Sequence, residues 1–455
     1  MIAAIADDFT GATDVAVAFR QAGLRTAIRF GPPDGTTAAP ACDALVVALK
    51  TRTVPGGEAV AASLRALDWL RNAGATRLYF KYCSTFDSTP AGNIGPVLDA
   101  LSAALGAAQV VTTPAAPEHG RTQYQGYLFV EDRLLAESHM RHHPLNPMTD
   151  SHLPRVLGAQ TRRRVGVLSL ATVRSGAHAI RHHLAGAGEG YLLADAIDES
   201  DLRSIGRAVL DHPLVAGASG LARGLAGAIA AVPGFVARPD PPLAPQPAGG
   251  TRAVALAGSC SARTLEQVRA FRESDAPAYR IDALAARDPL ELAGDALRWY
   301  DANTQAAPVL LYSSATPAEL ARVQGALGVT GSAELIEAAL RLIAVGLVAR
   351  GVTRIVVAGG ETAGAVVTAL DIDGGLIGPE AAPGVPWILA DRLELLLKSG
   401  NFGGPRLLLD ATAAGPGTMG PGRMSPGSGT AGPGSGTAGP GSADPGATRE
   451  EVRHG

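Results

Sequence analysis

Along most of the chain, short uninterrupted apolar runs alternate with longer stretches in which apolar positions recur every three or four residues. The runs are IAAIA (Ile2–Ala6), ALVVAL (Ala44–Leu49), RLYFK (Arg77–Lys81), QVVTT (Gln109–Thr113) and RVGVLSL (Arg164–Leu170). YLLADA (Tyr191–Ala196), AVALAG (Ala253–Gly258), VLLYS (Val309–Ser313) and RIVVAG (Arg354–Gly359) continue the series. Apolar runs without alternation are the pattern of strands covered on both faces. Helices such as Gly57–Ala73 and Ala333–Arg350 lie between them. The pattern predicts two α/β domains with mostly parallel sheets and a ligand cleft between them.

The periodicity stops twice. VPGFVARPDPPLAPQPAGG (Val232–Gly250) reads as a Pro-rich linker, which sets domains at residues 1–231 and 251–411. From Ala414 on, Gly, Pro, Ser and Thr dominate and GPGSGTA recurs. Residues 412–455 therefore read as a disordered tail, too poor in apolar surface to fold. The tail holds a formal GxGxxG match, GPGTMG (Gly415–Gly420), but with no strand before it and no helix after it.

Composition narrows the function classes. A net charge of −3 argues against general nucleic-acid affinity. No window approaches 18 uninterrupted apolar residues, so no membrane span is expected. Three cysteines without a CxxC, and an opening MIAAIADDF without a basic leader, point to a reducing, cytoplasmic setting. A homodimer is the default assembly for an enzyme of this size. Of 39 basic residues only Lys50, Lys81 and Lys398 are lysines. The rest are arginines, a skew that codon bias explains, and it draws attention to the lysines that remain.

Ligands of open α/β sheets collect at the carboxyl ends of strands. ADDFTGATD puts Asp7 and Asp8 at one such end, followed by Thr10 and a helix. Adjacent carboxylates there either serve a ligand or cap the helix. ALKTRT brings Lys50 and Arg52, expected on one face and suited to an anion. KYCSTFDSTPAGNIG supplies Lys81, Ser84, Asp87 and Asn93, a set suited to a polyhydroxy acid. Cys83 lacks a paired histidine and makes a poor nucleophile. PEHGRTQYQGYLFV offers His119 as a conceivable general base and Arg121 as the better-founded carboxylate binder. In the second domain, AGSCSARTLEQV carries Ser259 and Ser261, and AGGETAGAV carries Gly359, Gly360, Glu361 and Thr362. LKSGNFGG adds Lys398, Gly400 and Gly403. Small-residue turns opening helices are phosphate cradles, and three in one domain point to a nucleotide. A Walker A sequence is absent. The histidine groups His139–His143 and His178–His183 lack acidic or cysteine partners, so no metal site is assigned.

These stretches, with HHPLNPMTDS (His142–Ser151), resemble the four-carbon acid sugar kinases over residues 1–410. KYCSTFDST together with HHPLNPMTDS resembles the 3-oxo-tetronate 4-kinase branch. The resemblance implies an N-terminal domain for a sugar acid and a C-terminal domain for ATP, with Mg²⁺ on the phosphates. It implies phosphoryl transfer to O4 of 3-dehydro-L- or D-erythronate. For such a step Asp8, then Asp87, is read as the base or orienting group for the hydroxyl proton. Lys50, Arg52, Lys81 and Arg121 would hold the carboxylate and the transferring phosphate. The rival substrates are D-threonate and erythronate. A nucleotide-linked oxidoreductase and a sugar-acid sensor are the alternatives of another class.

Overall fold

The structure, a computed structural model, describes residues 1–33, 38–143, 146–239, 251–286, 288–303 and 308–416. Most of the Pro-rich segment (240–250), residues 144–145 and the tail from residue 417, with most of its GxGxxG match, lie outside the described residues.

The N-terminal half contributes β1 (Ile2–Ala6), β2 (Thr26–Phe30), β3 (Ala44–Ala48), β4 (Arg77–Lys81), β5 (Gln109–Thr113), β6 (Arg121–Tyr124), β7 (Tyr127–Val130), β8 (Arg133–Leu134), β9 (Val165–Leu168), β10 (Gly190–Ala194) and β11 (Leu214–Gly217). The C-terminal half contributes β12 (Ala253–Ala257), β13 (Ala278–Arg280), β14 (Val309–Tyr312), β15 (Arg354–Ala358), β16 (Gly374–Ala382), β17 (Val385–Ala390) and β18 (Leu393–Lys398). Strands β6, β7 and β8 form a small antiparallel sheet. The other fifteen form one sheet in the order β13-β14-β12-β15-β18-β17-β16-β2-β3-β1-β4-β11-β5-β10-β9.

The two expected α/β halves are present, and each is parallel where its helices cover it. The halves share one sheet, however. An antiparallel ribbon, β16-β17-β18, carries the C-terminal strands to the edge of the N-terminal ones. The seam is a short antiparallel ladder in which Gly374, Gly375 and Leu376 face Arg29, Ile28 and Ala27. A side chain on Gly374 would collide with the Ile28 carbonyl, so glycine is required for the strands to meet.

Three antiparallel pairings separate β15 from β1, so the two run in opposite senses through the sheet. Six strand-to-strand steps of about 20–25° twist amount to roughly 120–150°. That rotation turns the carboxyl ends of β1 and β15 toward one another. Residues from both line a single cleft: Phe9, Thr10 and Thr13 on one side, Gly360, Ala363, Leu397, Lys398 and Phe402 on the other.

The helix Phe9–Gln21 packs at the centre of this arrangement. Its residues Gly11, Ala12, Thr13 and Val15 through Phe19 are all buried, which their small, apolar character permits. Its Arg20 and Gln21 reach the ribbon, Arg20 Nη1 donating to the Ile377 carbonyl (2.8 Å) and Gln21 to Glu380 (2.8 Å). One apolar cluster runs through both halves, from Val15 and Phe19 to Val254 and Val366. Among the described residues no helix is long and apolar enough to cross a membrane.

Candidate functional site

Strand β1 delivers Asp7 and Asp8 to the cleft, and the loop after β3 delivers Arg52. Asp7 is buried, and Arg52 grips it with both arms, Nε to Oδ2 at 3.0 Å and Nη2 to Oδ1 at 2.8 Å. The same Nη2 lies 2.7 Å from Asp8 Oδ1, and Nη1 lies 3.9 Å from Asp87. Burial pushes the Asp7 carboxyl up, against the downward pull of Arg52. Burial works against the Arg52 charge too, but Asp7, Cys83 and Asp8 together outweigh it and drive the guanidinium further toward its charged form. Arg52 thus organises three carboxylates around one cation.

Asp8 does cap its helix, accepting from Gly11 N at 2.8 Å, and also pairs with Arg52. Its side chain is 27% exposed, against 5% for Asp7 and 9% for Asp87, which makes it the most open of the three carboxylates. Asp87 accepts from Thr85 Oγ1 (2.8 Å), and Thr85 meets Cys83 Sγ at 3.0 Å. Burial pushes the Cys83 thiol up to about 11, which suits a structural thiol and not a nucleophile.

Lys81 ends β4 and is buried, with Nζ donating to the Tyr82 carbonyl at 2.9 Å. A Cβ on Gly11 would come 2.9 Å from that Nζ, so the ammonium sits directly under the first helical turn. Asn93 is buried, but its amide donates to the Thr51 (2.6 Å) and Val54 (3.0 Å) carbonyls. Its placement is that of a brace for the Arg52 loop. Ser84 is half-buried and Thr10 exposed at the mouth of the cleft. Arg121 donates to the His119 carbonyl, and its buried Nε has no partner.

Sequence reading passed over Asp14, two turns along the central helix. It faces His119 Nε2 at 3.9 Å and feels the Lys81 charge. The hydrogen-bonding influence of Asp14, ahead of opposing burial, raises the His119 pKa. Burial opposes ionisation of Asp14, yet His119 and Lys81 bring its carboxyl below the usual range. Only the helical spacing from Asp8 and Gly11 could have signalled it.

The opposite wall is built differently. Gly359 has φ 127°, a conformation that disfavours any side chain, and it opens the helix Gly360–Ala369 without a side-chain cap. The N–H groups of Gly360, Glu361 and Thr362 have no intrahelical partners and face the anion-attracting end of the helix dipole. Thr362 is buried against Gly258, where any Cβ would collide with its Oγ1. Glu361 is exposed. Ser261 caps the helix Ala262–Arg272 and donates to the Gly400 carbonyl at 2.6 Å. A Cβ on Gly400 would lie 2.6 Å from Ser259 Oγ, so the loops after β12 and β18 touch. Gly403 has φ 80° and packs on Leu407.

Two lysines stand apart from the expectation. Lys50 and Arg52 do not work as a pair, because β3 ends at Ala48 and the chain turns at Thr51–Val54, where the Val54 N–H meets the Thr51 carbonyl. Arg52 folds inward to Asp7, whereas Lys50 crosses to the other half, with Nζ 5.1 Å above the Phe9 ring. Lys398 is buried at 1% exposure and donates to Thr264 Oγ1 (3.0 Å), Gln267 Oε1 (2.6 Å) and the Gly400 carbonyl (2.9 Å). Burial, with Arg263 nearby, lowers it to about 8. All three of its donors hold the glycine loop in shape.

A cavity of about 520 Å³ also exists at the far edge, lined by Arg164, His182, Glu189 and Tyr191. It lies away from every strand end described above.

A charged pocket facing an uncapped helix start across one cleft is an α/β arrangement able to hold an acid and a phosphate together. The sequence models of a sugar-binding N-terminal domain and a nucleotide-binding C-terminal domain match residues 2–225 and 254–408. The chain belongs to the four-carbon acid sugar kinases, in their 3-oxo-tetronate kinase branch. It is 49% identical over 407 residues to the 3-oxo-tetronate kinase of Methylobacterium radiotolerans, covering 88% of this chain and 96% of that one. It is 46% identical over 411 residues to the 3-oxo-tetronate kinase of Salmonella typhimurium, covering 88% and 96%. A crystal structure from Salmonella typhimurium LT2 superposes with a TM-score of 0.83 at 44% identity, covering 90% of this chain and 98% of that one.

Proposed function

We propose that the chain transfers the γ-phosphoryl group of Mg·ATP to the O4 hydroxyl of 3-dehydro-L- or 3-dehydro-D-erythronate. The observation that carries this reading is the cleft itself. Three carboxylates and two cations at the ends of β1, β3 and β4 face an uncapped, glycine-opened helix after β15. The names of the relatives support the substrate class.

In the proposed step the O4 oxygen attacks the γ-phosphorus and the bond to the β–γ bridging oxygen breaks. ADP leaves, and the O4 proton passes to a carboxylate. Asp8 is assigned that role because it is the most open carboxylate and its Oδ1 is fixed by Gly11 and Arg52. Asp87 is the second candidate. Asp7 with Arg52, and Asn93 behind the loop, orient Asp8. Lys81 and Arg121 suit the sugar-acid carboxylate, since Arg121 has an unpartnered buried Nε. Ser84, Thr10 and the loop residues around them suit its hydroxyls.

The N–H groups of Gly360–Thr362, with the Ser259, Ser261 and Gly400 loops, suit the ATP phosphates, while Lys398 and Gly403 shape that wall. Mg²⁺ neutralises phosphate charge during transfer. Among the described residues no group of three ligating side chains could hold an ion unaided. Glu361, exposed at the start of the helix, would be the carboxylate able to help hold an ion carried on the phosphates. The reading places domain boundaries near residues 231 and 251 and the enzyme in the cytoplasm.

ADP release with Mg·ATP against both 3-dehydro-erythronates, D-threonate, L-threonate and D-erythronate tests the reading, with phosphorus NMR to locate the ester. Turnover on the 3-oxo acids is the expected result. Turnover confined to threonate or erythronate would move the assignment to those acids. Binding of a sugar acid without ADP release would make the protein a sensor.

A further inference from the structure

Lys50 is the one lysine of the three whose ammonium has no hydrogen-bond acceptor and no carboxylate partner among the described residues. Lys81 and Lys398 are buried and bonded. Lys50 is exposed, and its contacts are the Phe9 ring below and Gly364 ahead. Gly364 belongs to the nucleotide half, one turn inside the helix Gly360–Ala369. A Cβ there would lie 2.6 Å from Lys50 Nζ and 3.2 Å from its Cε. The glycine therefore creates a slot in the helix surface, and a lysine from the other half lies in it. Phe9 forms the floor and also lines the cleft with Gly360 and Ala363.

An unpaired cation beside the start of a helix is electrostatically unfavourable, because the helix dipole presents positive charge there. The arrangement makes sense when an anion occupies the same helix end. The sugar-acid carboxylate is a poor candidate for that anion. Its candidate pocket lies around Arg52 and Lys81, and Lys50 pairs with none of the carboxylates there but lies against Gly364 of the other half. The group that must lie between the halves is the phosphoryl in transit.

We propose that Lys50 binds the γ-phosphoryl group of ATP, and that Gly364 is a positioning residue that keeps the slot open for it. This rests on the kinase reading above. It gives Lys50 one task where sequence allowed two. It also accounts for lysine at a position in an arginine-rich chain. A compact ammonium on a slender stem occupies the space left by the missing Gly364 side chain, whereas a planar guanidinium is wider.

The test compares Lys50→Met, Lys50→Arg and Gly364→Ala with the wild-type enzyme, using whichever 3-dehydro-erythronate isomer the wild type turns over. Steady-state kinetics and calorimetric binding of the sugar acid alone are measured for each. Lys50→Met is expected to lose about 10²-fold in kcat, the size of one lost transition-state donor. Its sugar-acid Kd should stay within about twofold. Gly364→Ala, which displaces the lysine without removing it, should reproduce that loss. The double variant should be no worse than Lys50→Met alone, since both act on one interaction. A tenfold rise in sugar-acid Kd with kcat kept at saturation would make Lys50 a carboxylate binder and overturn the proposal. Wild-type kcat in Lys50→Met would overturn it as well. A wild-type enzyme that turns over neither isomer would instead sink the kinase reading on which the proposal rests.

Discussion

The two walls of the cleft use opposite means. The N-terminal wall is a network of full charges: Arg52 against Asp7, Asp8 and Asp87, with Lys81 beneath and Asp14 facing His119. The C-terminal wall is made mostly of backbone N–H groups, serine hydroxyls and glycines, with one exposed carboxylate, Glu361, and its buried lysine turned to structural use. The difference follows from the ligands each would receive. A small acid offers few contacts and must be fixed by strong, directional charge pairs. A triphosphate brings its own charge and metal. A wall of fixed dipoles can cradle it without binding product too tightly.

The comparison can be broken in stages. The largest effect is expected from Asp8→Asn, where kcat should fall by about 10²–10⁴-fold with ATP affinity unchanged. Near-normal turnover would remove Asp8 from the proton-accepting role and bring Asp87 forward. Next comes Arg52→Ala, which strands the buried Asp7 carboxylate. Urea unfolding should show a loss of about 3 kcal/mol, and a loss below about 1 kcal/mol would mean that the charge network is not structural.

Gly359→Ala tests the other wall. At φ 127° the added Cβ would also crowd Thr362 Oγ1 at 3.1 Å. ATP Kd should rise about tenfold, the equivalent of about 1.4 kcal/mol, while sugar-acid binding is untouched. Equal damage to both ligands would show that the walls are not separable.

The smallest effect concerns pH. His119 is raised by Asp14, so its contribution to stability is complete below about pH 6.5 and is lost as pH rises through its folded value. Asp14 is lowered, so its contribution is lost as pH falls below its ordinary value, 3.8. The stability gap between wild type and Asp14→Asn should therefore be widest from about pH 4 to 6.5 and narrow on either side. A gap that is flat with pH would refute the pairing.

Much of this was legible beforehand. Every apolar run named from the sequence is a strand within a residue or two, because continuous burial leaves an unmistakable pattern. Three of the strands that escaped, β2, β16 and β17, have physical reasons. Strand β2 carries the buried Arg29, which pairs with Asp373 and stacks on Trp69, so its apolar run is interrupted. Strands β16 and β17 contain Pro379 and Pro386, residues that ordinarily argue against a strand. The ladder tolerates them by shifting register on both sides of Glu380. In the site, the motif turns were readable because glycine and hydroxyl residues cluster where ligands approach. The partner of each side chain was not. Alternation placed Lys50 and Arg52 together, but it holds only while the chain stays extended, and β3 ends at Ala48 with a turn at Thr51–Val54.

The shared sheet changes what movement between the walls can mean. A tether between separate bodies permits free swinging. Here the halves are joined by a short β2–β16 ladder with Gly374 and Gly375 on one side, by the Arg20 and Gln21 bonds to the ribbon and by one shared apolar cluster. Any approach of the walls would therefore have to bend a continuous sheet and shear a shared core, so Gly374 and Gly375, where the strands meet most closely, are positions at which a side chain would be felt far from any atom that reacts.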